Sequence, residues 1–161
     1  MSDLLAPLLD LPWLAPATPY IVLLHATSRD DKLWEEAHWV TLGHILASDG
    51  FQMVLPWGSA SEQARSVRLA AAIPNAISPP RLGLLEAAVL LGHARAVIGV
   101  DTGLSHLAAA LDVPTIGIYT TTDPGLTGLH AGTRAINLGG KQAAPSVDTV
   151  LSTLTRLLEH A

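Results

Sequence analysis

The chain has 161 residues, of which 49% are hydrophobic and 4% aromatic, which suits a single domain with a sizeable core of aliphatic side chains. The formal net charge is −5 and the two lysines are Lys32 and Lys141, which excludes the basic surface that general nucleic-acid binding needs. The absence of cysteine excludes disulfide bonds and thiolate metal sites, and it fits a reducing cytoplasm.

Residues 1–19 differ in composition from the remainder of the chain. They contain four prolines, which predicts a Pro-rich arm or interdomain linker rather than long regular structure. The apolar opening at 4–14 lacks a basic region and includes Asp10, so it does not resemble a signal peptide. No apolar run reaches the roughly 18 residues of a membrane span. We therefore expect a cytoplasmic protein whose main domain covers residues 20–161.

From residue 20 onward, apolar runs rich in β-branched residues alternate with stretches of helical periodicity. The predicted strands are 20–25, 51–55, 76–77, 96–100, 114–119 and 134–138. The predicted helices are 36–48, 61–72, 84–92, 104–111 and 147–158. This order predicts an α/β fold, a Rossmann-like open parallel sheet with helices on both faces. In such a sheet the loops that follow the strands meet at one edge, where ligands bind.

The stretch 96–111 carries the clearest indication of a site. A buried strand ends at Asp101-Thr102-Gly103, and a helix follows at once. Such a turn points the first helical amides and the positive end of the helix dipole beyond the sheet, which suits a phosphate. Gly103 allows a close approach, Thr102 can donate a hydrogen bond, and His106 falls one turn later on the same side. The alternative is an ordinary helix cap formed by Asp101 or Thr102. The Asp101 carboxylate would repel a phosphate, so we expect it to bond the turn or sugar hydroxyls.

Three further turns are predicted at the same edge. The polar loop 26–34 contains Lys32, which can serve as a point cation for a phosphate, or pair with a neighbouring aspartate. Glu62 lies three residues after Ser59, the spacing of a capping box, and it could instead accept hydrogen bonds from ribose hydroxyls. The loop 120–128 is rich in hydroxyls and glycine, which suits contact with a polyol or an ordinary turn.

Several common catalytic motifs are absent. The sequence has neither G-x-x-x-x-G-K-[ST] nor G-x-G-x-x-G, which argues against a P-loop and a dehydrogenase fingerprint. Its seven histidines do not have metal-ligand spacing, so we expect no metal. Ser105 does not lie in a G-x-S-x-G elbow, which argues against a hydrolase triad.

Four motifs occur in a characteristic order. They are His25-Ala26-Thr27-Ser28-Arg29-Asp30-Asp31-Lys32-Leu33-Trp34, then Leu55-Pro56-Trp57-Gly58 followed by Glu62, then Val100-Asp101-Thr102-Gly103-Leu104-Ser105-His106, and finally Thr122-Asp123-Pro124-Gly125-Leu126. Together they resemble the lipopolysaccharide heptosyltransferase I family, which uses ADP-heptose. The resemblance runs from about residue 20 to the end of the chain. It covers the carboxyl-terminal, donor-binding half of the family's GT-B architecture of two Rossmann domains.

The resemblance implies which residues bind the diphosphate of the donor. Thr27, Ser28 and Lys32 would contact it directly. Thr102 and Gly103 would add the helix-terminus site. Lys32 would also stabilise the leaving group.

The resemblance also implies contacts to the rest of the donor. Glu62 would hold the adenosine ribose and Leu82 would lie against adenine, where family members commonly have methionine. Asp101 and His106 would face the diphosphate-sugar end. Family members commonly have a glycine near Thr120, so this chain departs from the pattern in that loop.

The implied function is the donor half of an inverting heptosyltransferase that adds L-glycero-D-manno-heptose to Kdo-lipid A in the lipopolysaccharide inner core. In this family the general base and most of the acceptor site belong to an amino-terminal domain. We therefore expect this chain to bind ADP or ADP-heptose without a metal, but not to transfer sugar alone. It would act in the cytoplasm or peripherally at the cytoplasmic face of the inner membrane, and its exposed interdomain face could self-associate.

The alternative is a non-catalytic nucleotide-binding or interaction module that uses the same fold. The feature that separates the two hypotheses is the combination of Lys32 with Asp101-Thr102-Gly103. Lys32→Ala should strongly weaken diphosphate binding under the first hypothesis and should matter little under the second.

Overall fold

The computed structural model describes residues 11, 13–14, 18–26, 33–100, 102–119, 135–139 and 144–159. Four residues of the predicted donor site, Thr27, Ser28, Lys32 and Asp101, lie outside these ranges. The loop 120–128 and most of the arm 1–19 also lie outside them.

Strands and helices alternate along the described chain. The strands are β1 (Tyr20–Leu24), β2 (Gln52–Val54), β3 (Ala76–Ile77), β4 (Ala96–Val100), β5 (Thr115–Tyr119) and β6 (Ala135–Gly139). The helices are α1 (Glu36–Ser48), α2 (Ala60–Ala72), α3 (Leu84–Gly92), α4 (Gly103–Ala110) and α5 (Val147–Glu159). Each predicted element is present, with its ends within one residue of the prediction. No helix in these ranges is long and apolar enough to cross a membrane.

The strands form one parallel sheet with the order β3-β2-β1-β4-β5-β6. The chain begins in the middle of the sheet, winds outward to β3, and returns to place β4 on the other side of β1. This reversal is the topological switch of a doubly wound fold, and it opens a crevice beyond the carboxyl ends of β1 and β4. The predicted Rossmann-like α/β fold is confirmed.

Helices cover both faces of the sheet, as predicted. Along β1, Ile21 and Leu23 join a core with α1, α2 and α5, whereas Tyr20, Val22 and Leu24 join a second core with α3 and α4. Strands β1, β4 and β5 are buried along their whole length. Burial on both faces explains why these strands are continuous apolar runs rather than alternating ones.

The described part of the arm packs on this domain. Leu11, Trp13 and Leu14 are partly buried against the core beneath α3 and α4. For these three residues the contact is with the domain itself.

Gly99 allows α4 to pack closely on β4. A Cβ at this position would lie 2.5 Å from Ser105 Oγ and 2.7 Å from Leu24 Cβ. The Ser105 hydroxyl donates to the Val100 carbonyl at 2.8 Å, which fixes the first turn of α4 over the end of β4. The missing side chain therefore sets how near α4 lies to β1 and β4.

His25 follows β1 and is fully buried. Its Nε2 lies 3.1 Å from the Pro56 carbonyl, and Nδ1 is buried with no hydrogen-bond partner in the part of the chain that the structure describes. Burial lowers the pKa of His25 from 6.5 to about 4, assisted by the positive charge of Arg65 and partly offset by the Pro56 bond and Glu36. The imidazole is therefore neutral at pH 7. Because a carbonyl only accepts, Nε2 carries the proton and donates it to Pro56.

We expect Gly99→Ala to destabilise the fold by about 1–3 kcal/mol, because Leu24 Cβ cannot move away without shifting β1 and the Ser105 hydroxyl cannot turn away without losing its bond to Val100. Urea unfolding followed by circular dichroism measures the change. Gly103→Ala is the matched control, since a Cβ there meets nothing within 4 Å. Its free energy of unfolding should stay within about 0.5 kcal/mol of the original chain. Equal stability of the two variants would contradict the close-packing role of Gly99.

We also expect stability to fall as the pH is lowered, through His25. Between the unfolded pKa of 6.5 and the folded value of about 4, the unfolded chain gains a proton at His25 that the folded chain does not. The free energy of unfolding should therefore drop by about 2 kcal/mol from about pH 7 to about pH 5 through this group. Urea unfolding of His25→Gln at the two pH values provides the comparison. An unchanged pH dependence in that variant would contradict the assignment.

Candidate functional site

A cavity of about 720 Å³ opens at the carboxyl edge of the sheet, at the switch point between β1 and β4. Its walls are the turns after β1, β2 and β4 and the first turns of α2, α3 and α4. This volume lies in the range of small-molecule sites, which are commonly about 300–1,000 Å³. The fold therefore provides one concave site where several loops meet.

The first turn of α4 is open towards this cavity. Thr102 occupies the N-cap position in an extended conformation, and its side chain makes no capping hydrogen bond. Its carbonyl accepts from the amides of Ser105 at 3.1 Å and His106 at 3.3 Å. The turn contains no acidic residue, and the space where a side chain of residue 103 would lie is empty to 4 Å. An anion could therefore approach the positive end of α4 at Gly103.

The amino-terminal ends of α2 and α3 have carboxylates of their own. Glu62 Oε1 accepts from the Gly58 amide at 2.8 Å, and Glu86 Oε1 accepts from the Gly83 amide at 3.0 Å. The Glu62 amide donates to Ser59 Oγ at 3.3 Å. Ser59 therefore caps α2 as predicted, whereas the reciprocal half of the capping box is wrong, because the Glu62 carboxylate accepts from the Gly58 amide rather than from Ser59. Glu62 also lines the cavity, and its predicted role towards ribose stays a prediction.

One wall of the cavity is apolar. Leu82, Leu84 and Ala87 contribute to it from the start of α3 and the segment before it. Trp57 lies on the neighbouring turn, and its indole Nε1 donates to the Pro79 carbonyl at 2.7 Å, which joins the turn after β2 to the segment that leads to α3. Leu84 is 76% exposed at the rim. A flat, weakly polar ring is the kind of group that suits this wall.

The cavity brings together five of the residues that the sequence predicted. Glu62, Leu82, Thr102, Gly103 and His106 all line it, although they are separated by up to 44 positions in the chain. Their individual roles stay predictions. Thr27, Ser28, Lys32 and Asp101 lie outside the described residues, but Ala26, the residue before Thr27, lines the same cavity.

Trp57 and Leu84 are among the lining residues to which the sequence assigned no role. Trp57 could have been found because it follows a buried strand directly, at the edge where ligand loops meet. Leu84 could have been found less easily, because a leucine in the first turn of a helix predicts core packing rather than exposure.

Metal-binding groups do not gather in the part of the chain that the structure describes. In these ranges no three His, Cys, Asp or Glu side chains lie close enough together to hold an ion. The expectation that the site works without a metal stays a prediction.

Sequence comparisons agree with the geometry. Glycosyltransferase family 9 (heptosyltransferase) matches residues 10–154. Lipopolysaccharide heptosyltransferase 1 of Pseudomonas aeruginosa is 48% identical over 124 residues, which are 77% of this chain and 35% of that protein. The Salmonella typhimurium enzyme of the same name is 50% identical over 114 residues, which are 71% of this chain and 36% of that protein.

Solved structures of relatives share the fold. Escherichia coli heptosyltransferase WaaC with ADP superposes with a TM-score of 0.82 at 38% identity, covering 89% of this chain and 46% of that one. The same enzyme with ADP-2-deoxy-2-fluoro heptose gives a TM-score of 0.80 at 34% identity, covering 99% and 48%. This chain therefore spans about a third of the curated relatives and about half of the solved structures. It belongs to glycosyltransferase family 9, the heptosyltransferases.

Proposed function

We propose that this chain is the donor-binding part of an inverting heptosyltransferase and that the cavity at the switch point binds ADP-heptose. The observation that carries the proposal is the first turn of α4, where, among the described residues, neither the Thr102 side chain nor an acidic side chain of the turn occupies the helix end. One relative, the Escherichia coli heptosyltransferase WaaC, has been solved with ADP and with ADP-2-deoxy-2-fluoro heptose, at 38% and 34% identity, which supports the same ligand class here.

The walls of the cavity suggest how the donor is oriented. Adenine would lie against the apolar wall of Leu82, Leu84 and Trp57, and the ribose hydroxyls would reach Glu62. The diphosphate would then face Thr102 and Gly103. In this arrangement each part of the donor meets a wall of matching chemistry.

The described residues that line the cavity include no lysine or arginine. The amides and dipole of α4 would therefore carry much of the interaction with the diphosphate, with Lys32 as the proposed cation. When the acceptor hydroxyl attacks the anomeric carbon, the bond to the β-phosphate oxygen breaks and negative charge grows on ADP. Donors that are already oriented stabilise that charge without reorganisation, which is how this half of the enzyme would lower the barrier.

The remaining parts of the reaction are proposed from the family. The acceptor would be Kdo-lipid A, and the general base and acceptor site would belong to the amino-terminal half of the two-domain enzyme. The transfer would need no metal, because the helix end and Lys32 would neutralise the leaving group. The enzyme would work at the cytoplasmic face of the inner membrane, where a nucleotide sugar and a lipid acceptor can meet.

We expect the chain to bind ADP in isothermal titration calorimetry at nucleotide concentrations up to about 1 mM. Gly103→Ala should weaken binding at least about tenfold, because its methyl group would occupy the space in front of the first turn of α4. The variant should keep its stability, so the loss would be a property of the site. The absence of ADP binding by the unaltered chain would refute the proposal, and full affinity of Gly103→Ala would refute the role of this helix end.

Glu62→Gln separates the capping role from the ribose role. The glutamine oxygen can still accept from the Gly58 amide, so stability should change little, whereas ADP affinity should fall about tenfold through loss of a charged acceptor. Glu86→Gln is the matched control, because Glu86 caps α3 in the same way and does not line the cavity.

Calorimetry with 2′,3′-dideoxy-ADP completes this test. The unaltered chain should lose affinity when the ribose hydroxyls are removed, whereas Glu62→Gln should lose little more. Equal losses for the two proteins would show that Glu62 acts only as a helix cap.

A further inference from the structure

His25 connects two turns whose residues line the cavity. The His25 side chain itself does not line the cavity. Its imidazole lies behind the wall, and Nε2 donates to the Pro56 carbonyl at 3.1 Å. Ala26, the next residue, lines the cavity from the turn after β1, and Pro56 lines it from the turn after β2. One side-chain hydrogen bond therefore connects two walls of the site across 31 positions of the chain.

This bond lies beyond the end of the β1–β2 ladder. The register pairs of the two strands stop at Val22 and Val54, so the backbones are no longer paired where they enter the site. His25 lies three residues past the last pair on one strand, and Pro56 lies two residues past it on the other. The hydrogen bond from His25 to Pro56 thus links the two segments at the point where backbone pairing between β1 and β2 has ended.

Other hydrogen bonds hold the turn after β2 from the opposite side. Ser66 Oγ donates to the Leu55 carbonyl at 2.6 Å and lies 2.7 Å from Ser78 Oγ. The Trp57 indole binds Pro79, as described above. These bonds attach the turn after β2 to α2 and to the segment that follows β3. The His25 bond attaches the same turn to the segment that follows β1.

Stability alone does not account for this histidine. Its Nδ1 is buried and has no hydrogen-bond partner among the described residues, and a buried polar atom without a hydrogen bond opposes folding. An aliphatic side chain of similar volume would avoid that cost. The unsatisfied Nδ1 means that this histidine needs another explanation. One explanation is the geometry of the two turns, which the hydrogen bond from Nε2 fixes.

We propose that His25 is a positioning residue, whose bond to Pro56 fixes the separation between the turn after β1 and the turn after β2 and so holds the donor cavity in its binding shape. The inference rests on the proposed function, because it assumes that the cavity binds a nucleotide. The turn after β1 continues into Thr27, Ser28 and Lys32, the predicted diphosphate contacts. The turn after β2 carries Trp57 and leads to Glu62. His25 would therefore set the distance between the diphosphate end and the nucleoside end of the site.

The test compares His25→Leu, which cannot donate, with His25→Gln, whose side-chain amide can reach Pro56. His44→Leu is the matched control, because His44 Nε2 makes the same kind of bond to the Ala72 carbonyl at 2.9 Å, away from the cavity. ADP affinity is measured by calorimetry, and hydrogen exchange measured by mass spectrometry reports on peptides that contain residues 57–59.

We expect His25→Leu to weaken ADP binding at least about tenfold and to speed exchange in 57–59, whereas His25→Gln should stay within about threefold of the unaltered chain. His44→Leu should change neither quantity. If His25→Leu does not fold, His25→Asn takes its place, since its amide is one methylene shorter than that of glutamine and should show the same losses.

Two results would overturn the inference: unchanged affinity and exchange in His25→Leu, or equal losses in the Leu and Gln variants. The exchange measurement needs no nucleotide, so it separates this inference from the proposed function. Absence of ADP binding by the unaltered chain would refute the function, and unchanged exchange in His25→Leu would refute the positioning role.

Discussion

The close contact of β1, β4 and α4 at Gly99 is the constraint on which the site depends. Leu24 Cβ and Ser105 Oγ occupy the space that a side chain of residue 99 would need. The Ser105 hydroxyl then bonds Val100, so the helix begins directly above the end of β4. A helix held farther from the sheet would direct its first amides away from the crevice. The packing of two apolar strands and one helix thus determines where positive potential is available to a ligand.

A chain with a net charge of −5 can bind an anion only if it concentrates positive potential locally. Three helices begin at the cavity, and two of them already have a carboxylate on a backbone amide at their start, Glu62 on Gly58 and Glu86 on Gly83. The third, α4, has no such acid in its first turn. Among the described residues, the helix end at Gly103 is therefore the one of the three that has no carboxylate on its amides.

The sequence predicted the fold well because the central strands are buried on both faces. Runs such as 96–100 and 115–119 contain no charge, and few other structures accommodate them. The predicted ends of strands and helices were less exact where a single hydrogen bond determines the first residue of the element. Pro114 has no amide to give to the ladder, so β5 begins at Thr115, and Ser59 caps α2, so that helix begins at Ala60.

The site was predictable only where its residues lie in a local pattern. Thr102 and Gly103 could be found because a strand, a turn and a helix follow one another in sequence. The importance of His25 could not be found in this way, since its burial and its bond depend on Pro56, 31 positions later. Leu84 shows the opposite error, because its sequence predicts core packing and its place at the cavity rim leaves it 76% exposed.

The cavity is a property of the assembled sheet rather than of any one βα unit. Its walls come from turns after three strands, and β1 must pair with both β2 and β4 before those turns face each other. The ladders set the strand spacing, but the β1–β2 ladder ends at Val22 and Val54, short of the turns that follow. Side chains that form hydrogen bonds between segments therefore help to fix the positions of the turns. Ser66, Trp57 and His25 form such bonds. Such side chains can be varied without changing the strand order, which makes them the part of this fold where binding can be tuned independently of folding.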